Sequence, residues 1–240
     1  MTENIEIQTK SKSSGLVVIR AVFQFVFSII ITGGFLFLSA GSIKWPRAWI
    51  YLCLWTVTLL VNLIVLFKTN PSLLDARMKR RKFESRFDMF LMLFIMTPAL
   101  MAVPIMAGLD AVRYRLLPIP FWIVPPAMLL LVAGNAIILW SMVVNPYSEK
   151  IIRIQSERGH QVVTTGPYAV VRHPMYTGFI LLFLSIPLIL GSGWAFVPVI
   201  VACTVLIIRT IFEDRFLKKN LSGYKDYIQK TRYMLLPGIW

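Results

Sequence analysis

Charge is scarce in this chain: 15% of its 240 residues are charged and only 11 are acidic. That is too little polar surface for a soluble domain of this size. Cysteine is scarcer, and Cys53 and Cys203 sit apart in apolar runs without Cys-x-x-Cys spacing. The pattern excludes a zinc knuckle and gives no support to a disulfide framework, so no metal site is expected. Internal repeats and low-complexity segments are lacking as well. The polar Met1–Ser14 stretch does not have the layout of a cleaved signal peptide, and the apolar run behind it is too long for one. A retained first helix is expected.

What the chain does have is hydrocarbon. It is 57% hydrophobic with a mean hydropathy of +0.71, and runs of about twenty apolar residues suffice to cross a bilayer core. Such runs read as Leu16–Leu38, Trp49–Phe67, Met89–Ala107, Phe121–Val144, Phe179–Leu190 and Trp194–Phe212. They are apolar on every face, which rules out barrel strands and requires helices. The expected fold is an all-α integral membrane protein of five to six transmembrane helices. The short fifth run and the sixth form a hairpin about Gly191-Ser192-Gly193. Pro125, Pro126, Pro187 and Pro198 are expected to kink their helices. Trp45, Trp49, Trp122, Trp140, Trp194 and Trp240 lie near span ends, where interfacial tryptophans belong.

The net charge is +14, but the basic residues gather in loops between spans and not in a nucleic-acid-binding module. They read as topology determinants and as attraction for anionic membrane lipids, with no nucleic-acid partner. Lys68, Arg77, Lys79, Arg80, Arg81, Lys82 and Arg86 crowd one loop; Lys10 and Lys12 precede the first span; Lys150, Arg153, Arg158 and Arg172 follow the fourth. The opposite loops hold only Lys44, Arg47, Arg113 and Arg115. Both termini and the loop after the fourth span are therefore expected in the cytoplasm, with the protein multi-pass in the cell's inner membrane. The character of the chain changes near Asn145: residues 1–144 read as a scaffold of four helices, and residues 145–240 as a functional module of polar loop, helical hairpin and polar tail.

The chain's two histidines, His160 and His173, lie in or just before Gly166-Pro-Tyr-Ala-Val-Val-Arg-His-Pro-Met-Tyr-Thr-Gly178. A membrane anchor has no use for this segment. Arg172 sets a fixed cation beside the titratable His173, and Pro174 restricts His173 to an extended backbone. Tyr168 and Tyr176 can stack on a ring or donate a hydrogen bond. Arg209 and Glu213 stand four apart near the end of the last span and share one helix face. Ionisable groups at that depth usually point into the bundle. They either end the helix as an interfacial ion pair, or one holds a cationic cofactor group and the other an anionic substrate. Asp214 and Arg215 read as surface charges. Gly223-Tyr-Lys-Asp-Tyr227 and Leu236-Pro-Gly-Ile-Trp240 alone would pass for an amphipathic tail on the membrane.

Taken in order, Gly159-His-Gln-Val-Val-Thr-Thr-Gly-Pro-Tyr168, Arg172-His-Pro-Met-Tyr-Thr-Gly178, the hairpin, Arg209-x-x-x-Glu-Asp and Gly223-Tyr-x-x-Tyr227 resemble the isoprenylcysteine carboxyl methyltransferase family. The closer resemblance is to that family's bacterial and archaeal membrane relatives. It covers about residues 145–240; the first four spans match only as generic membrane helices. It implies an S-adenosyl-L-methionine-dependent transferase acting on a lipophilic or lipidated acceptor drawn from the bilayer: a carboxylate, or another small acid, thiol or amine. By the same resemblance His160, Gln161, Val162, Val163, Tyr168, His173, Pro174, Met175, Tyr176 and Glu213 bind the cofactor, with Gln155 a further candidate. Arg209 is implied to contact the acceptor, and Arg172, Arg209 and Glu213 are the candidate catalytic residues.

Two other readings stay open. Membrane sterol- or lipid-type reductases using NADPH have a similar Arg-His-x-x-Tyr region, although this chain is short for one and has proline after the histidine. A non-catalytic transporter would bury charges in several spans, and the first four spans hold almost none.

Overall fold

Backbone amides in hydrocarbon have no water to pair with, so each long apolar run must close its own hydrogen bonds; every one of them is helical. The computed structural model describes residues 2–79 and 82–240, with side chains from residue 19 onward. Arg80, Arg81 and the side chains of Lys10 and Lys12, all counted among the basic loop residues, lie outside the described residues. The elements are α1 (Thr2–Ala40), α2 (Pro46–Thr69), α3 (Pro71–Met78), α4 (Arg86–Tyr114), α5 (Phe121–Val144), α6 (Pro174–Leu190), α7 (Phe196–Asn220) and α8 (Tyr224–Lys230). There is no strand among the described residues, only a single bridge between Pro118 and Ser192. This is an all-α integral membrane fold. Among the described residues, five helices are long and apolar enough to cross a bilayer, and α6 is a shorter apolar helix. At 17 residues α6 is about 26 Å long, slightly less than a hydrocarbon core.

Short connections make neighbouring helices antiparallel, so the chain ends, α3, the loop after α5 and α8 share one end of the bundle, the site end. The far end is tied together by a buried acid. Asp110 sits in the final π-helical turn of α4, and its carboxylate accepts from Ser192 Oγ at 2.6 Å, Leu117 N at 2.7 Å and Trp194 N at 3.1 Å. It clamps the α4–α5 loop to the α6–α7 turn. That turn forms as expected: Gly191 adopts φ +83°, open to glycine, and its N–H caps α6 on the Pro187 carbonyl.

Three expectations are corrected. The third span is longer than its apolar run: α4 begins before Asp88 and ends after Asp110, so two buried acids lie in the supposedly uncharged half. Each has partners that offset the cost of burial. Pro125 and Pro126 occupy the first turn of the regular helix and Pro198 the first turn of α7, where a missing N–H costs nothing; they start helices instead of kinking them, and Pro187 alone of the four lies in a helix interior. Trp45 is buried in the core, unlike the other five.

The core lies where α6 packs between α2, α5 and α7. α5 and α6 touch through backbone: a Cβ on Gly178 would lie 2.6 Å from the Gly134 carbonyl oxygen, and one on Gly134 would lie 2.7 Å from that of Gly178. Small residues permit such crossings in membranes. Asn62 of α2 and Asn135 of α5 exchange amide hydrogen bonds of 2.8 and 3.2 Å nearby. Gly178→Ala is expected to cost about 3 kcal/mol, because neither backbone can yield, and thermal unfolding in detergent would show it. An unchanged midpoint would refute the close crossing.

Candidate active site

Between Asn145 and His173 the chain has almost no regular structure, so its shape depends on side chains. Asn145 Oδ1 turns the chain by accepting from Tyr147 N at 2.9 Å. Tyr147 donates to the Gly159 carbonyl at 3.0 Å and lays its ring 4.5 Å from that of His160. Gln155 is almost fully buried; its Nε2 donates to the Tyr147 carbonyl at 2.7 Å and its backbone N–H to His160 Nδ1 at 3.4 Å. Gln155 thus orients His160 from behind. Burial holds the His160 imidazole below its ordinary value, with the Glu213 charge opposing and the Arg153 and Arg158 charges reinforcing, so the ring is neutral at pH 7. Glu149 holds Arg153 through Nε and Nη2, both at 3.0 Å, and Glu157 adds a 2.7 Å contact; these carboxylates raise the Arg153 pKa.

The segment that carries the motif is braced by the tail. Arg172 N and His173 N donate to the Tyr233 and Met234 carbonyls, both at 2.9 Å. The Arg172 guanidinium donates to Asp214 at 2.8 Å and to the carbonyls of Thr231 and Arg232 at 3.0 and 2.5 Å. Asp214 also accepts from Tyr224 Oη at 2.9 Å and lies 3.3 Å from His173 Nε2. Tyr227 Oη donates to the Tyr168 carbonyl at 2.7 Å. Asp214 is therefore a buried hub, 6% exposed, and not the surface charge expected from sequence. Its neighbour in sequence, Glu213, turns the other way and accepts from Tyr176 Oη.

A recess opens where these layers meet. Tyr147, His160, Tyr168, His173 and Tyr176 give it rings; Ile151, Ile152, Met175 and Leu217 give it apolar wall; Glu149, Arg153 and Glu213 give it charge. Of the residues expected at a cofactor site, His160, Tyr168, His173, Met175, Tyr176 and Glu213 line this recess. The others sit behind it or to one side. Gln161 is exposed, and Val162 packs on the Leu221–Tyr224–Tyr227 cluster. Val163 is half-buried beyond the lining, and Pro174 is buried at the start of α6, five residues earlier than the apolar run begins. Arg172 faces Asp214 and the tail.

Arg209 lies one turn deeper, 5.8 Å from the Tyr176 ring, and its partner is not Glu213. Nε and Nη2 donate to the Asp88 carboxylate at 2.8 and 3.3 Å, and Nη2 also to the Lys150 carbonyl at 2.8 Å. The same-face spacing of Arg209 and Glu213 is real, yet each finds its partner on another helix. Asn145, Tyr147, Ser148, Glu149, Ile151, Ile152, Arg153 and Leu217 also line the recess and were not expected there. The available signal was position: seven of them fall in the irregular stretch between the fourth span and His160.

The stretch from near the start of α5 through this loop and the hairpin, ending just before α8, has a known counterpart. Residues 123–223 match the phospholipid methyltransferase family model. The match agrees with the resemblance to isoprenylcysteine carboxyl methyltransferases carried by the motifs and, with the apolar helices, points to a membrane methyltransferase. No curated protein matches the chain.

Proposed function

We propose that the protein is an S-adenosyl-L-methionine-dependent methyltransferase whose acceptor is a lipophilic molecule reaching the recess from the bilayer. One observation carries this reading: inside the segment that matches the methyltransferase family, an aromatic and apolar recess holds a carboxylate, Glu213, anchored by a phenol and without an arginine in ion-pair contact among the described residues. The donor set suits the cofactor. A carboxylate complements its ammonium or orders its ribose hydroxyls, and rings and aliphatic side chains accept adenine. At about 70 Å³ the recess is narrower than common ligand pockets. A nucleoside has to displace the 147–153 segment, which has no helix to hold it.

The cofactor supplies an electrophilic methyl group on a sulfonium sulfur. The chain's contribution is placement and dryness. Glu213 and Tyr176 fix the cofactor's polar end, and His160, neutral and aimed by Gln155, presents a ring edge without a competing charge. Arg209 orients an anionic acceptor from below through the guanidinium edge not used by Asp88 and Lys150. A carboxylate acceptor is already an anion, so no strong base is required; excluding water from the closed recess strengthens each of these contacts.

Titrating purified protein with S-adenosylhomocysteine and, separately, NADPH tests the reading. Binding of the first, with slowed amide exchange over residues 147–160, is expected; binding of NADPH alone would favour the reductase reading. Arg209→Lys is expected to lower methyl transfer about tenfold while leaving S-adenosylhomocysteine affinity near wild type, because the charge survives and the planar fork does not. Loss of cofactor affinity would move Arg209 into the cofactor shell.

The excess of lysine and arginine at the site end supports a cytoplasmic orientation for the recess and both termini. An impermeant thiol reagent should then miss a cysteine at position 158 in right-side-out vesicles of a variant lacking Cys53 and Cys203, and should reach one at position 44.

A further inference from the structure

Leu236-Pro-Gly-Ile-Trp240 has no place in the recess lining or in the core. The residues just before it nevertheless hold the site. The Tyr233 and Met234 carbonyls receive Arg172 N and His173 N, and the Leu235 carbonyl receives Thr177 Oγ1 at 2.7 Å. Leu235 is buried in the main core, with Met234 packed against the same cluster. Thr177 is the fourth residue of α6, so this contact fixes the tail within about 5 Å of the start of that helix. Because α6 is slightly shorter than a hydrocarbon core, its start lies at the boundary between acyl chains and headgroups.

Beyond Leu235 the chain folds back on itself. Leu235 N and Leu236 N donate to the Trp240 carbonyl, both at 3.1 Å, while Ile239 N and Trp240 N donate to the Leu236 carbonyl at 3.2 and 3.1 Å. Gly238, at φ +80°, permits the reversal. The turn thus pairs backbone groups within itself and turns its apolar side chains outward: Leu236 and Trp240 are exposed, and Ile239 is 79% exposed. Such a turn suits a lipid boundary, where unpaired backbone is costly and apolar side chains are not.

Charge names the surface it meets. From Lys218 to Trp240 the chain carries five basic side chains, Lys218, Lys219, Lys225, Lys230 and Arg232, all exposed, against one acid, Asp226. An apolar tip beside a cluster of cations complements an anionic bilayer surface, which offers acyl chains and negative headgroups at adjacent depths.

We propose that residues 225–240 are a foot that binds anionic phospholipid headgroups at the site end of the bundle, and that this contact tightens cofactor binding. Lys225, Lys230 and Arg232 meet the headgroup charge, and Leu236, Ile239 and Trp240 enter the acyl boundary. The anchored turn then holds the 233–235 carbonyls against Arg172, His173 and Thr177, and His173 lines the recess. The effect on the cofactor rests on the methyltransferase reading; the membrane contact does not.

The test uses the full chain in nanodiscs of phosphatidylcholine, alone or mixed equally with phosphatidylglycerol. A nitroxide on Ile239→Cys, in a variant lacking Cys53 and Cys203, reports depth by its relative accessibility to oxygen and to a water-soluble nickel chelate. Oxygen is expected to dominate in the mixed membrane. S-adenosylhomocysteine should bind about tenfold more tightly in the mixed membrane than in the neutral one. Lys225→Gln combined with Lys230→Gln should cut that ratio to about threefold or less, and Ile239→Asp should bring it near one, each binding as wild type does in the neutral membrane. Variants that weaken binding equally in both membranes would make the tail a structural brace alone and overturn the proposal. It is also overturned if the nickel chelate dominates at position 239 in the mixed membrane, or if wild type binds equally in the two membranes. Soluble polyphosphate reproducing the tightening in the neutral membrane would assign the cations to a soluble polyanion and overturn it as well. A wild type that binds S-adenosylhomocysteine in neither membrane would sink the methyltransferase reading, while the nitroxide depth still decides the membrane contact.

Discussion

Glu213→Gln is expected to weaken S-adenosylhomocysteine binding about a hundredfold, the cost of removing one partner from a largely desolvated charged hydrogen bond. The substitution preserves shape and leaves the Tyr176 hydroxyl an amide oxygen to donate to, so the loss reports the charge and not a cavity. Tyr176→Phe keeps the carboxylate but frees its orientation, and about a tenfold loss is expected from one charge-assisted hydrogen bond. Calorimetric titration of both variants gives the ratio directly. Equal, small losses would mean that Glu213 merely caps Tyr176 and that the cofactor's cationic end lies elsewhere, with Glu149 the next carboxylate in the recess.

Arg172→Met should be the most damaging single change outside the recess. Its guanidinium is shared by Asp214 and by two carbonyls of the tail, and Arg172, Asp214 and Thr231 are buried. Removing the cation leaves a buried carboxylate facing only Tyr224 and His173, at a cost of about 3–5 kcal/mol. The expected readout is proteolytic release of the 221–240 tail, with cofactor affinity lost in parallel because Tyr168 and His173 are held by that tail. Asp214→Asn should be milder, since Arg172 retains the carbonyls of Thr231 and Arg232. An Arg172→Met protein with a protected tail and full affinity would refute this bracing and return Arg172 to a direct part in the chemistry.

Much of the architecture was open to a reading of hydropathy. Hydrocarbon length is a local property: a run of apolar residues must be a helix whatever surrounds it, and a Gly-Ser-Gly break between two runs must turn. So α2, α5, the hairpin and the placement of the motif at one end of the bundle follow from the chain alone. The recess was partly legible for the same reason, because the scarce histidines and the tyrosines near them are concentrated in one short polar stretch between two spans.

The partners of the charges were not legible. Arg209 and Glu213 sit four apart, and helical spacing could only say that they share a face. Tertiary packing sends Arg209 to Asp88, 121 residues away, and Glu213 to Tyr176. Asp88 and Asp110 were lost from view because each stands just beyond an apolar run, and hydropathy ends a span where the helix, supported by a distant partner, continues. Asp214 looks like a surface charge beside Arg215, and becomes a hub once the tail brings Tyr224 against it. The amino-acid sequence by itself determined which runs are helices and the end at which polar chemistry collects, since those depend on the solvent each residue meets. Only the tertiary structure decided which buried charge neutralises which, because a desolvated ion is stabilised by whatever group the packing delivers within about 3 Å, and that distance has no counterpart along the chain.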